Sequence, residues 1–121
     1  MKTFEEFKDK YPKLYSTLGY FECDTGWFSL IDKLSERLEE VNNYLSDGHI
    51  HAAQVKNKFG GLRFYVDTEN VSAADYDMIQ AFIAEAESLS YITCELCSDA
   101  IDKKNITRYT SICQKCFSKA K

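Results

Sequence analysis

Four cysteines carry the clearest chemical signal in the chain. Cys94-Glu95-Leu96-Cys97 and Cys113-Gln114-Lys115-Cys116 are separated by fifteen residues, giving C-x2-C-x15-C-x2-C. Each Cys-x-x-Cys can turn two thiolates onto one cation, and a spacer of this length lets the second pair return to complete a tetrahedron. The pattern predicts one structural Zn²⁺ held by Cys94, Cys97, Cys113 and Cys116. Two disulfides are the competing reading. Residues 1–20 are charged and lack the apolar core of a secretory signal, so a reducing, cytoplasmic setting is expected and disulfides are disfavoured. In the spacer, residues 100–102 and 106–112 read as short strands around Lys103-Lys104-Asn105, as in a zinc ribbon. Such knuckles often place Gly after the second Cys; here Ser98 and Phe117 stand there.

A four-thiolate site is saturated, whereas catalytic zinc keeps a position open for water. The His-x-Glu and Pro-Cys-x-x-Cys of zinc deaminases are missing, and no His lies in residues 98–112 to serve a His-Asn-His nuclease. The expectation is therefore a protein that is not an enzyme. Cys23 could pair with His49 or His51 as nucleophile and base, but no further nucleophile motif accompanies it, and a buried small hydrophobe is the better reading. His49-Ile50-His51 could offer two imidazoles from one strand face, although no third ligand stands nearby in sequence. Asp32, Glu36, Glu39 and Glu40 could imitate a phosphate backbone; with Lys33 and Arg37 among them, a solvated helix face is the simpler reading.

The elements that position these residues centre on Val55–Val66, VKNKFGGLRFYV. Two runs rich in β-branched and aromatic residues flank Gly60-Gly61, which predicts a hairpin closed by a two-residue turn. That turn pairs Phe59 with Leu62, Lys58 with Arg63, Asn57 with Phe64, Lys56 with Tyr65 and Val55 with Val66. One face then carries Val55, Phe59, Leu62, Phe64 and Val66, with Asn57 as its polar member; the other carries Lys56, Lys58, Arg63 and Tyr65. Directly opposed like charges are unfavourable. The basic face is thus a candidate binding site for an anion or acidic side chains, unless acidic neighbours such as Asp67 neutralise it.

Helices must cover the apolar face, because a lone hairpin is marginal in water. Phe4, Phe7 and Tyr11 lie at helical spacing ahead of Pro12, and Leu14, Leu18, Tyr20 and Phe21 follow less regularly. Asp24 or Thr25 offers an N-cap for a helix striped by Trp27, Leu30, Ile31, Leu34, Leu38, Val41 and Leu45, with Gly48 as C-cap. After a turn at residues 67–70, Ser72 and Asp75 resemble a capping box for a helix striped by Tyr76, Ile79, Phe82, Ile83, Ala86 and Leu89. The fold class is α+β: helices packed on a central β-hairpin, with a C-terminal four-cysteine, zinc-ribbon-like element. The expected division is a helix/hairpin body over residues 1–92 and the zinc element over 93–121, packed on it. The predicted shared core is Trp27, Leu30, Leu34, Leu38, Phe59, Phe64, Ile79 and Phe82.

The chain has 121 residues, 45% hydrophobic and 14% aromatic, with one Pro, as befits an ordered globule. Its net charge of −4 is uneven: residues 1–93 hold 9 Lys/Arg against 16 Asp/Glu, and residues 94–121 hold 6 against 3. An acidic body disfavours wholesale nucleic-acid binding but permits a local contact. No run approaches the roughly 18 apolar residues of a membrane span.

Gly26-Trp27 opening a helix, Lys56-x-Lys58-Phe59-Gly60-Gly61-Leu62-Arg63-Phe64-Tyr65, and a C-terminal Cys-x-x-Cys pair together resemble a family of small bacterial and prophage proteins of uncharacterised function. The likeness spans roughly residues 23–116, and relatives tend to have Gly where Ser98 stands. It implies a phage or mobile-element setting and transfers no catalytic residue. Three classes of function follow. The first is a non-catalytic module that modulates a host or defence protein through the basic hairpin face. The second is a nucleic-acid-binding accessory protein using Lys103, Lys104, Arg108, Tyr109 and Lys115. The third is a nucleotide- or phosphate-binding protein using the hairpin. Charge and the lack of an enzyme motif favour the first.

Overall fold

A computed structural model describes residues 3–101 and 111–120. The fold is α+β. Helix α1 (Phe4–Lys10) is followed by an irregular segment and a single 3₁₀ turn (Thr25–Trp27). Helix α2 (Phe28–Tyr44), strands β1 (His49–Lys58) and β2 (Gly61–Glu69), α3 (Ala73–Ser90) and the short α4 (Gln114–Ala120) complete it. The two strands form an antiparallel hairpin, and α2 and α3 pack on each other and on its apolar face.

The N-terminal segment is part of the core. α1 stops at Lys10 ahead of Pro12, and Thr3 Oγ1 caps it by accepting from Glu6 N. Phe7 meets Phe21 and Phe28 edge-on at 5.0 and 5.3 Å, while Tyr11, Leu14 and Tyr15 are buried. Glu39 corrects the expectation of a wholly solvated acidic face on α2. It is buried, and its carboxylate accepts from Lys13 N, Leu14 N and Asn42 Nδ2, each at 3.0 Å. Asn42 in turn binds both the N–H and the carbonyl of Ile50, fixing the start of β1. A buried carboxylate therefore ties the irregular segment to α2, where the 3.6-residue pattern alone suggests only solvent.

Helix α2 begins one residue later than its apolar stripe, because the 3₁₀ turn takes Trp27. Neither Asp24 nor the preceding turn supplies a side-chain cap. Gly48 is not in the left-handed region. It is required by closeness: a Cβ there would lie 2.4 Å from Asn70 O. Ser72 caps α3 by accepting from Asp75 N at 3.1 Å, as the capping-box spacing predicts.

The hairpin forms, but its turn comes one residue earlier, so each β1 residue pairs two positions away from its expected partner. The turn is Phe59-Gly60 (φ 56° and 85°), and Lys58 pairs with Gly61, Asn57 with Leu62, Lys56 with Arg63 and Val55 with Phe64. Phe59 is thereby expelled from the predicted core and is 64% exposed at the tip. The reason is tertiary. The end of the Tyr91 ring lies where a Cβ at residue 61 would sit, so glycine there lets the ring close over the strand. Ser90 Oγ accepts from Leu62 N, and Glu87 Oε2 from Phe64 N, which locks the shifted strand against α3. A bulge at Ala53 lets Ile50 and Ala52 share the inner face with Val55. The remaining core residues fall as expected, with Trp27, Leu34, Leu38, Phe64 and Ile79 buried and Leu30 and Phe82 packed at its margin.

Backbone donors on the outer edge of β1 are also engaged. Ala52 N donates to Leu14 O, Asn57 N donates to Glu22 O, and Val55 O accepts from Glu22 N. Covered edges of this kind protect a two-stranded sheet from adventitious strand pairing.

Candidate metal centre and hairpin face

The four predicted ligands come together. The Sγ atoms of Cys94, Cys97, Cys113 and Cys116 all lie within 4.8 Å of one another, with Cys97 and Cys113 at 3.6 Å. A tetrahedral zinc with Zn–S near 2.3 Å requires sulfur–sulfur separations of about 3.8 Å, so the quartet fits such an ion. The first pair sits in a tight turn in which Ser98 N donates to Cys94 O and Cys94 N donates to Asp99 O. The second pair opens α4: Cys113 precedes the helix and Cys116 lies in its first turn. Thr93 and Ala100 form an antiparallel bridge at the base of the knuckle.

Ser98 adopts φ 71°, the left-handed conformation for which Gly is usual at this position. A non-glycine residue there costs about 1 kcal/mol. Its hydroxyl offsets that cost by donating to Gly26 O at 2.7 Å. The residue that departs from the usual pattern thus holds the knuckle to the body.

The thiols of the quartet sit in different local fields. Burial pushes the Cys94 thiol up, but N–H groups of Cys113, Cys97 and Leu96 aimed at it more than compensate and bring it down to about 7. Burial and the neighbouring thiols push Cys116 up to about 12. Four ionised sulfurs so close together require a bound cation between them.

Glu95, a spacer residue in the first Cys-x-x-Cys, fastens this element to the body. Its side chain is buried and accepts from Asp24 N (2.9 Å), Asn57 Nδ2 (2.7 Å) and Ser111 Oγ (2.7 Å), while its carbonyl accepts from Gly26 N at 2.6 Å. Asn57 Oδ1 accepts in turn from Gly60 N at 3.0 Å. A continuous set of hydrogen bonds therefore runs from Glu95, next in sequence to Cys94 of the cysteine cluster, to the hairpin turn. Trp27 Nε1 adds a bond to Thr93 O at 2.8 Å. Composition and spacing do not reveal Glu95; the visible signal is Asn57, the one polar side chain on an apolar strand face.

The second predicted site is the outer face of the hairpin. Lys56, not Lys58, opposes Arg63, and Tyr65 pairs with Gln54. Among the described residues, Lys56 and Lys58 make no ion pair. Asp67, the expected neutraliser, is instead paired with His51 at 3.4 Å. Arg63 stacks 5.9 Å from the Tyr91 centroid, and its Nη2 donates to Tyr91 Oη at 2.9 Å. Of the proposed nucleic-acid contacts, Lys103, Lys104, Arg108 and Tyr109 lie outside the described residues, and Lys115 is paired with Asp99 at 3.4 Å. Burial pushes the Cys23 thiol up to about 12, with the nearby charges of Glu95 and Asp24 adding to the effect, which disfavours the nucleophilic thiolate.

Among the described residues, no helix is long and apolar enough to cross a membrane. The architecture is thus a hairpin body with a four-cysteine metal centre bonded to its turn, and no family model, curated protein or solved structure matches the chain.

Proposed function

We propose that this is a small non-catalytic binding protein, probing an acidic protein surface with the outer face of its hairpin and braced by one structural Zn²⁺ on Cys94, Cys97, Cys113 and Cys116. The phage or prophage setting implied by the sequence resemblance makes a host or defence protein the partner class. The observation that carries this reading is the Lys56–Arg63 cross-strand pair beside Lys58. Like charges held together cost stability, and among the described residues neither Lys56 nor Lys58 makes an ion pair, Glu22 beside Lys56 being bonded to Gln54 instead. An acidic partner would. Tyr65 and Tyr91 supply amphipathic surface next to these charges, the residue type that dominates protein contacts.

The test is charge reversal. Lys56→Glu with Lys58→Glu is expected to abolish partner capture from host lysate while leaving the thermal midpoint within about 2 °C, since surface changes seldom exceed 0.5 kcal/mol. Binding to random single- or double-stranded DNA near physiological salt is expected to be weak. Submicromolar DNA or RNA binding that falls steeply with salt and survives this double change would overturn the proposal in favour of the ribbon residues.

A further inference from the structure

The other half of the hairpin's outer face holds a second cluster of metal-ligating side chains. The cross-strand register places His49 opposite Glu69 and His51 opposite Asp67, so all four project from the same side of the ladder. The sequence shows only the His-x-His; pairing with β2 supplies the oxygen ligands. His51 Nε2 lies 3.4 Å from Asp67 Oδ2, and His49 Nε2 lies 4.0 Å from Glu69 Oε2. The two imidazole rings are stacked, 5.5 Å between centroids and 25° between planes.

We infer that His49 and His51, with Asp67 and Glu69, form a surface site for a divalent transition cation such as Zn²⁺. Two imidazoles and carboxylate oxygens are a borderline donor set suited to zinc, copper or nickel rather than to calcium or magnesium. Each ring already turns Nε2 toward a carboxylate, so a cation can take the place between nitrogen and oxygen that a proton would otherwise fill. The cysteine quartet is the only group of three or more ligand atoms already converged among the described residues. The histidine site must therefore close by side-chain rotation. His49 is about half exposed, and both carboxylates are mostly exposed, which leaves them free to do so. The same exposure makes the site weaker than the cysteine site and readily exchangeable.

The experiment is titration of Zn²⁺ into protein that retains its cysteine-bound ion, followed by calorimetry and by the histidine ring ¹⁵N signals. A second equivalent is expected, with Nε2 of both His49 and His51 shifting together. Binding should weaken at least about tenfold in His51→Asn and measurably in Asp67→Asn, because a ligand and its carboxylate partner each contribute to affinity. Far-UV circular dichroism should be unchanged in these surface variants. Lack of a second equivalent would overturn the inference. So would a second equivalent that persists in the His49→Asn/His51→Asn double variant, or a shift confined to one histidine.

Discussion

Removing the metal with a strong chelator is expected to release residues 93–101 and 111–120 while α2, α3 and the hairpin keep their backbone structure. Structural zinc supplies about 10–16 kcal/mol of apparent binding energy in isolated zinc-finger peptides, and without it such elements unfold. Here the effect should spread one step further, along bonds that start at Glu95, between Cys94 and Cys97. Glu95 accepts from Asp24 N and Asn57 Nδ2 only while the knuckle is formed. Trp27, buried and bonded to Thr93 O, lies at the junction. Far-UV circular dichroism should thus change little, whereas Trp27 emission should shift to the red. Hydrogen exchange should accelerate at Gly26, Cys94, Ser98, Ile101 and Phe117, whose N–H groups bond within this element or to it. Exchange and emission unchanged after the metal has left would show that the cysteines do not hold the element together.

Gly26→Ala is expected to be the most damaging conservative change in the body. Its backbone is not in the left-handed region, so alanine is conformationally acceptable there. The difficulty is space: an added Cβ would lie 2.3 Å from Cys94 O and from the Glu95 carbonyl carbon and oxygen. These are backbone atoms next to a metal ligand, with no flexible side-chain end to yield. The two segments must separate, which weakens Gly26 N to Glu95 O, Ser98 Oγ to Gly26 O and Trp27 Nε1 to Thr93 O together. At about 1 kcal/mol net for each bond, the loss is about 3 kcal/mol, or a fall in thermal midpoint of about 10 °C for a domain of this size. Gly19→Ala is the control, since nothing lies within 4 Å of that position. If both variants melt alike, the close approach of knuckle and body does not exist in solution.

The parts of this structure that sequence reveals are those decided by local chemistry. Paired cysteines at fixed spacing need a cation, the stripe from Ile31 to Val41 needs a core, and Ser72 ahead of Asp75 needs a helix behind it. What sequence conceals is decided by partners far along the chain. Gly60-Gly61 is a better local turn than Phe59-Gly60, yet the ring of Tyr91 above Gly61 and the bond from Leu62 N to Ser90, 28 residues away, choose the other register. Glu39 follows a helical charge pattern and is buried because the amides of Lys13 and Leu14 arrive there from an irregular segment. Glu95 has the look of a spacer within Cys-x-x-Cys, and its role depends on Asp24 and Asn57. Asn57 alone gave a local hint, as a polar residue on a face that should be apolar.

The measurement that tests the central claim most directly is the metal content and thiol state of reduced, freshly gel-filtered protein. Native mass spectrometry should find one zinc per chain, the exchangeable surface histidines having been stripped. Cys94, Cys97, Cys113 and Cys116 should resist alkylation until a chelator is added, and then all four should react. Protein that carries no zinc, or a peptide map that joins these four cysteines in disulfides, would contradict the account: the brace would be covalent or absent, and the hairpin face would have to be held in some other way.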